Sequence, residues 1–353
     1  SNISLASAFP FNMSADLPLG GRLHLDGQAG PVDSVDAALT PLQAKVSVQQ
    51  MDLSASGFID PASGISGIAD FDGTLSSDGH DAKTIGTLKA SKLKVSPKGS
   101  PAGQPVEVKY TLHHDLVKQV GKLTQGEVAM GKAVAHLVGS YDAHEKITSV
   151  NMKISGQGMP VDDLEAMLPA LGVVLPPRAT LKGGTLGIDF TITGPVDKLV
   201  TVGTVKLENS ALAGFSVGSK LSAVSSLFGS KGGNSGGSNS NDTNIQNFSS
   251  DVRVTPEGTQ VNNLNLTVPS YGVLTGAGTV SPSNELAFKM SAQLGSSGPS
   301  IPFNVAGTTA DPKFTPDMKG MATGLYKDAL GKAVSGQSNP VSGITGLFKK
   351  KNQ

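Results

Sequence analysis

The residues whose type and spacing best fit a chemical task are Asp70 and Asp72, in the string Asp70-Phe71-Asp72-Gly73-Thr74-Leu75. Two carboxylates two positions apart can divide work, one attacking phosphorus while the other moves a proton beside a metal ion. That chemistry needs the string at the carboxyl end of a buried parallel strand with helices around it. The preceding Gly64-Ile65-Ser66-Gly67-Ile68-Ala69 alternates instead, and no strand–helix–strand rhythm follows for many tens of residues. The string therefore reads as strand and turn, with Asp and Gly doing turn work. It also fails as a calcium loop, because Leu75 stands where the tight turn needs Gly.

The string is similar to the D-x-D-G-T-L signature of haloacid-dehalogenase-type phosphatases, which makes that activity, through Asp70 and Asp72, a remote enzymatic alternative. Other strings are weaker. Gly126 to Lys132 satisfies G-x-x-x-x-G-K, but Ala133 follows where a phosphate loop needs a hydroxyl for magnesium. Gly214-Phe215-Ser216-Val217-Gly218 and Gly233-Asn234-Ser235-Gly236-Gly237 both fit G-x-S-x-G, yet all six His lie at or before His144, so the order Ser, acid, His fails. His113-His114-Asp115 and Asp78-Gly79-His80-Asp81 have no partner cluster at metal-ligand spacing. No catalytic residue, metal or cofactor is expected, and the chain is read as a non-enzyme.

The elements that carry these strings are strands. Val106, Val108, Tyr110 and Leu112 alternate with Glu107, Lys109 and Thr111. The same period of two runs through Val150, Met152 and Ile154, through Leu186, Ile188, Phe190 and Ile192, and through Leu264, Leu266 and Val268. It is fullest at Leu286, Phe288, Met290, Ala292 and Leu294. Period two gives each strand one apolar and one wet face, the habit of antiparallel sheets. The 353 residues include 44 Gly and 21 Pro but no Cys or Trp, and the 28 basic residues balance the 28 acidic ones. Zero net charge argues against a nucleic-acid partner, and no apolar run approaches the ~20 residues of a membrane-spanning helix.

Helical signals are few. Asp162 to Leu168 follows Pro160 and ends near Gly172; Leu221, Val224, Leu227 and Phe228 show helical spacing, as do Met318, Ala322, Leu325 and Ala329. Val341, Ile344, Leu347 and Phe348 precede Lys349, Lys350 and Lys351. The expected divisions are a repetitive β region over 1–160, a β region with short helices over 161–228, a Gly/Ser/Asn linker over 229–244, a β unit over 245–317 and a helical tail over 318–353. Weak repeats begin at Leu25, Phe190 and Phe303, each a strand, a Gly and a Pro/Asp turn into a new strand. The fold expected is mostly β: an extended antiparallel groove of weak repeats with a few short helices.

Residues 242–317 resemble the C-terminal domain of the bacterial AsmA family. The residues carrying the likeness are Thr243, Gly258, Gly276, Gly278, Ile301, Pro302, Gly307, Pro312, Phe314, Pro316 and Asp317, and the likeness extends upstream to about 160. These are strand and turn features. The resemblance implies a periplasmic β body anchored in the inner membrane of a Gram-negative cell through an N-terminal segment absent from this chain. It also implies phospholipid as ligand, outer-membrane assembly partners, and a part in moving lipid during outer-membrane biogenesis. The lining expected for acyl chains is Val106, Val108, Tyr110, Leu186, Ile188, Phe190, Ile192, Leu264, Leu266, Val268, Leu286, Phe288 and Met290. The alternative from a different class is a scaffold for envelope assembly whose apolar face is filled by the protein itself.

Overall fold

A computed structural model describes residues 6–57, 59, 64–225, 241–294 and 300–320. Alternation becomes pairing along the chain. The strands are β1 (Phe9–Asp16), β2 (Arg22–Ala29), β3 (Leu42–Asp52), β4 (Ser66–Ser77), β5 (Asp81–Lys94) and β6 (Val106–Asp115). Then come β7 (Val120–Met130), β8 (Ala133–Asp142), β9 (Ser149–Pro160), β10 (Thr180–Lys182), β11 (Thr185–Pro195) and β12 (Val200–Ala213). The last six are β13 (Thr243–Thr255), β14 (Gly258–Val268), β15 (Gly272–Val280), β16 (Leu286–Leu294), β17 (Ser300–Gly307) and β18 (Pro312–Pro316). Among the described residues two short α-helices interrupt them, α1 (Val161–Glu165) and α2 (Val217–Ser225), with 3-10 turns at Pro18–Gly20 and Ala37–Leu39.

Every ladder is antiparallel, and all but β9–β11 and β10–β12 join strands that follow one another in the chain. β10 and β11 share one position, both pairing with β12, and are parted by Gly183 and Gly184 at φ 63° and 73°. The result is one open meander, the mostly β, extended antiparallel sheet that the alternation implied. β1 and β18 are its edges, and β18 is blunted by Pro312 and Pro316. Bulges at Gln50, Lys92 and Asn263, each with positive φ, shift the phase of single strands.

A meander puts alternate connections on the same rim. The turn rim carries connections at 30–41, 78–80, 116–119, 143–148, 196–199, 256–257, 281–285 and 308–311. All three weak repeats turn here, at Gly30, Gly194 and Gly307. The helix rim carries the longer excursions, including 95–105, 161–179 with α1, and the segment holding α2. There the 95–105 connection is tied across β7 and β8 to the segment after α1: Val95 N–H donates to Ala170 O (3.1 Å), Ser100 N–H to Pro169 O (2.8 Å) and Gly103 N–H to Ala166 O (2.9 Å).

Helix α1 starts at Val161 and the expected helix continues past Glu165 only as turns to Gly172, which has φ 77°. The linker boundary needs correction at its end. Asp242-Thr243-Asn244 reads as polar linker, but Thr243 opens β13 and is 2% exposed. Its hydroxyl donates to Phe215 O (2.7 Å) and accepts from Val217 N–H (2.9 Å), so burial leaves no orphan polar atom. The sheet runs on through this point, with β12 and β13 paired from Thr201↔Val254 to Leu212↔Thr243. The rest of the expected linker to 240, and the tail from 321 on with its helical spacings and lysines, lie outside the described residues.

Candidate apolar binding face

Cross-strand partners point to the same side of a sheet, so the register lets one face be followed from edge to edge. It begins with Phe9, Phe11 and Met13 on β1, which oppose Ala29, Gly27 and Leu25. Leu25 opposes Val46, Val48 opposes Phe71, Phe71 opposes Leu88, and Leu88 opposes Val108. Val108 opposes Val128, which opposes Ala135; Leu137 opposes Ile154, and Ile154 opposes Phe190. Leu186 then opposes Leu207, Leu207 opposes Phe248, Phe248 opposes Leu266, and Leu266 opposes Leu274. Gly276 opposes Met290, Met290 opposes Phe303, and Val305 opposes Phe314 on the far edge. The apolar face is unbroken from β1 to β18.

All thirteen lining residues expected from the sequence stand on this face, brought together by register rather than by any loop. Val106 and Val268 are buried, as core beside the helix rim. Val108, Tyr110, Leu186, Ile188, Phe190, Ile192, Leu264, Leu266, Leu286, Phe288 and Met290 are half-buried. Lysines, acids and amides dominate the other face, with Ile85, Val138 and Val202 exposed among them, and there Lys89 and Lys109 each approach Glu107 at 3.4 Å and Lys153 approaches Asp189 at 3.2 Å. Burial raises the Glu107 pKa, and the two lysines more than offset that, leaving it below the ordinary range.

Glycine shapes the apolar side. Gly86 lies between Phe71 and Tyr110, and a Cβ there would meet the Phe71 ring. The two rings lean together over it with centroids 5.9 Å apart, although they belong to strands separated by a whole strand. Gly121 does the same between His114 and Tyr141, whose rings stack at 5.6 Å and whose Tyr141 hydroxyl and His114 Nδ1 share a 3.0 Å hydrogen bond. Gly139 lies under the Met152 sulfur, Gly203 under Phe190, Gly276 under Met290 and Gly278 under Phe288. Large side chains laid over glycines cover backbone and keep the lining low, the arrangement known in sheets as aromatic rescue. Burial on this face holds the Tyr110 and Tyr141 phenols above their ordinary pKa, so both stay neutral.

Cover is local. Val217 and Leu221 of α2 close over Val268, Leu274, Ala292, Ile301 and Phe303. Val161 of α1 joins Leu207 and Ile245, and Met159 joins Ala133 and Ala135 under Leu164. Each cluster is made by strands neighbouring in the sheet, or by those with one helix, and no second sheet contributes to any of them. These clusters sit toward the helix rim; toward the turn rim the same face stays half-exposed.

The strings with chemical residue types take other places. Asp70 and Asp72 lie mid-strand on the polar face of β4, which is antiparallel to both neighbours, and Asp70 Oδ1 accepts the Gln50 N–H at the bulge (2.8 Å). Gly126 is in β7, and Lys132 sits in the next turn, where its N–H donates to Asp163 Oδ2 (2.7 Å). Ser216 is at the start of α2, its Oγ accepting the Ser219 N–H (3.2 Å). The string at Gly233 lies outside the described residues. Asp78 and Asp115 shape turns by accepting N–H bonds from His80 and Asp81 and from Val117 and Lys118. Among the described residues no group of three or more His, Cys, Asp or Glu is arranged to hold a metal, and no helix is long and apolar enough to cross a membrane.

The sequence reading missed lining residues in β1 to β5, among them Phe9, Phe11, Leu25, Val46, Phe71 and Leu88. The signal was present but broken: a bulge between Val48 and Met51 flips the phase within β3. No protein-family model, curated protein or solved structure matches this chain.

Proposed function

We propose that this chain is a non-enzymatic β-groove protein that shields phospholipid acyl chains on its apolar face, in the manner expected of the AsmA family it resembles. The observation that carries the reading is the unbroken apolar face from Phe9 to Phe314, with no second layer over its turn-rim half among the described residues. An apolar surface of that extent, left wet, is costly at about 25 cal/mol per Å² and calls for a ligand or a partner. Each acyl CH₂ moved onto it gains up to ~0.8 kcal/mol, and a lining without fixed polar ligands lets a chain slide. Headgroups remain in water at a rim. On this reading the protein works in a Gram-negative envelope, with a periplasmic body held to the inner membrane, in lipid transport for outer-membrane biogenesis.

The test is native mass spectrometry with organic extraction of the purified chain. Stoichiometric phospholipid is expected in the wild type, and its loss on changing Phe190, Phe288 and Met290 to Asp. A lipid-free protein that also refuses added fluorescent lipid would establish the scaffold reading instead. One observation favours that second reading: under α2 the face is filled by the protein's own Val217 and Leu221.

A further inference from the structure

We propose, building on the acyl-chain reading above, that the turn rim holds a subsite for the ammonium headgroup of a phospholipid. A cavity of about 330 Å³ opens there between the β2–β3 connection and the β6–β7 and β8–β9 turns. That volume lies at the small end of the ~300–1,000 Å³ range of small-molecule sites, enough for a headgroup and too small for a whole lipid. The β2–β3 connection reaches this place by passing the β4–β5 turn, where Gly79, at φ 97°, lies so close to Leu39 O that no Cβ would fit.

The cavity continues the apolar face. His114 belongs to both: it is the face residue of β6 nearest the turn rim, opposite Ala82 and Gly121, and it lines the cavity. Leu39, Leu116 and Ala143 extend the apolar lining, while Asp36 and Gln119 bring a carboxylate and an amide. Tyr141 fixes His114 by stacking and by the 3.0 Å hydrogen bond, so the imidazole is held at the boundary between apolar floor and polar mouth. An acyl chain lying on Leu112 and Leu123 would bring its polar end to this point.

The lining's charge decides which polar end fits. It holds one carboxylate and neither Lys nor Arg. The connections and strand ends around it carry Asp33, Asp78, Asp81, Asp115, Asp142 and Glu145 against Lys118 and Lys146, and Lys118 is engaged by Asp115 at 2.7 Å. Such a mouth repels a headgroup with net negative charge and attracts an ammonium group, for which Asp36 and Gln119 offer acceptors.

The experiment titrates the full chain with three lipids bearing the same fluorescent acyl chain: a phosphatidylethanolamine, a phosphatidylglycerol and a diacylglycerol. The ethanolamine lipid is expected to bind at least fivefold tighter than the glycerol lipid. Asp36 also accepts the Ala38 N–H, so Asp36→Ser is the variant of choice: it keeps an acceptor for that bond and removes the charge. It is expected to bring the preference below twofold with diacylglycerol affinity unchanged, and Gln119→Leu, in the β6–β7 turn, to weaken the ethanolamine lipid alone. Equal affinity for all three lipids, tighter binding of the glycerol lipid, or a preference that survives Asp36→Ser would overturn the subsite and leave the acyl-chain reading standing. Failure of every lipid to bind the wild type would overturn that reading and the subsite with it.

Discussion

The patch of apolar face on β14 to β17 and the run from β2 to β6 are built alike and end differently. Both are period-two lining in antiparallel register, with Leu266, Leu274, Ala292 and Ile301 opposed in one and Leu25, Val46, Phe71, Leu88 and Val108 in the other. In the first, Val268, Ile301 and Phe303 are 1–2% exposed; in the second every large side chain named is half-exposed. The difference is α2, nine residues long, which lays Val217 and Leu221 on the first patch. The same alternation therefore builds a core where it is covered and a candidate site where it is not.

The comparison breaks most sharply at Phe303. Phe303→Ala should cost about 3–5 kcal/mol, because the packed Phe314 ring at 5.9 Å and the α2 cover leave a cavity that cannot collapse. Leu88→Ala on the open run should cost about 1 kcal/mol, since water already reaches that side chain, and should lower bound lipid instead. Urea unfolding of both variants reads the stabilities and extraction reads the lipid; equal costs would mean that the two patches are covered alike.

A middle-sized effect belongs to the glycine shelf. In Gly121→Ala the added methyl meets the Tyr141 ring, so the ring must lift, with a cost of about 1–3 kcal/mol for overpacking. The near-ultraviolet circular dichroism of Tyr141 should change as its bond to His114 is lost. An unchanged spectrum would show that the ring does not depend on that glycine.

The smallest effect separates the two rims. Backbone N–H donors lower the Asp33 and Asp78 pKa values; the His144 N–H and side chain lower that of Asp142, and Lys118 lowers that of Asp115. A carboxylate with a depressed folded pKa stabilises above its unfolded value of about 4 and loses that contribution as pH falls through the folded pKa. All four stand at the turn rim, whereas the helix rim has Asp52, lowered by the Ser54 hydroxyl. Hydrogen exchange compared at pH 6 and pH 3 should show turn-rim connections loosening first; uniform loosening would remove the distinction.

Much of the fold was legible because it is local. The strands from Val106 onward, the turns at Gly194 and Gly307, and the start of α1 after Pro160 follow from alternation, positive-φ glycine and acids in a first turn. The early strands were harder to read because bulges at Gln50 and Lys92 interrupt the count, and the burial of Thr243 was not readable because it depends on Phe215 and Val217, far back in the chain. The His114–Tyr141 pair could not be read at all: 27 residues separate its members, and only the register through Gly121 brings them together.

The sequence by itself determined which side of each strand is apolar, since successive Cβ atoms point to opposite faces wherever the backbone is extended. It also set the direction of the meander, through short connections that leave antiparallel neighbours no other partner. Only the tertiary structure decided where that apolar side becomes core, where it stays open, and which rim carries the cover. Solvation of a face depends on segments distant in the chain, such as α2 over β14 to β17 and the tie between 95–103 and 166–170, and no local pattern encodes that proximity.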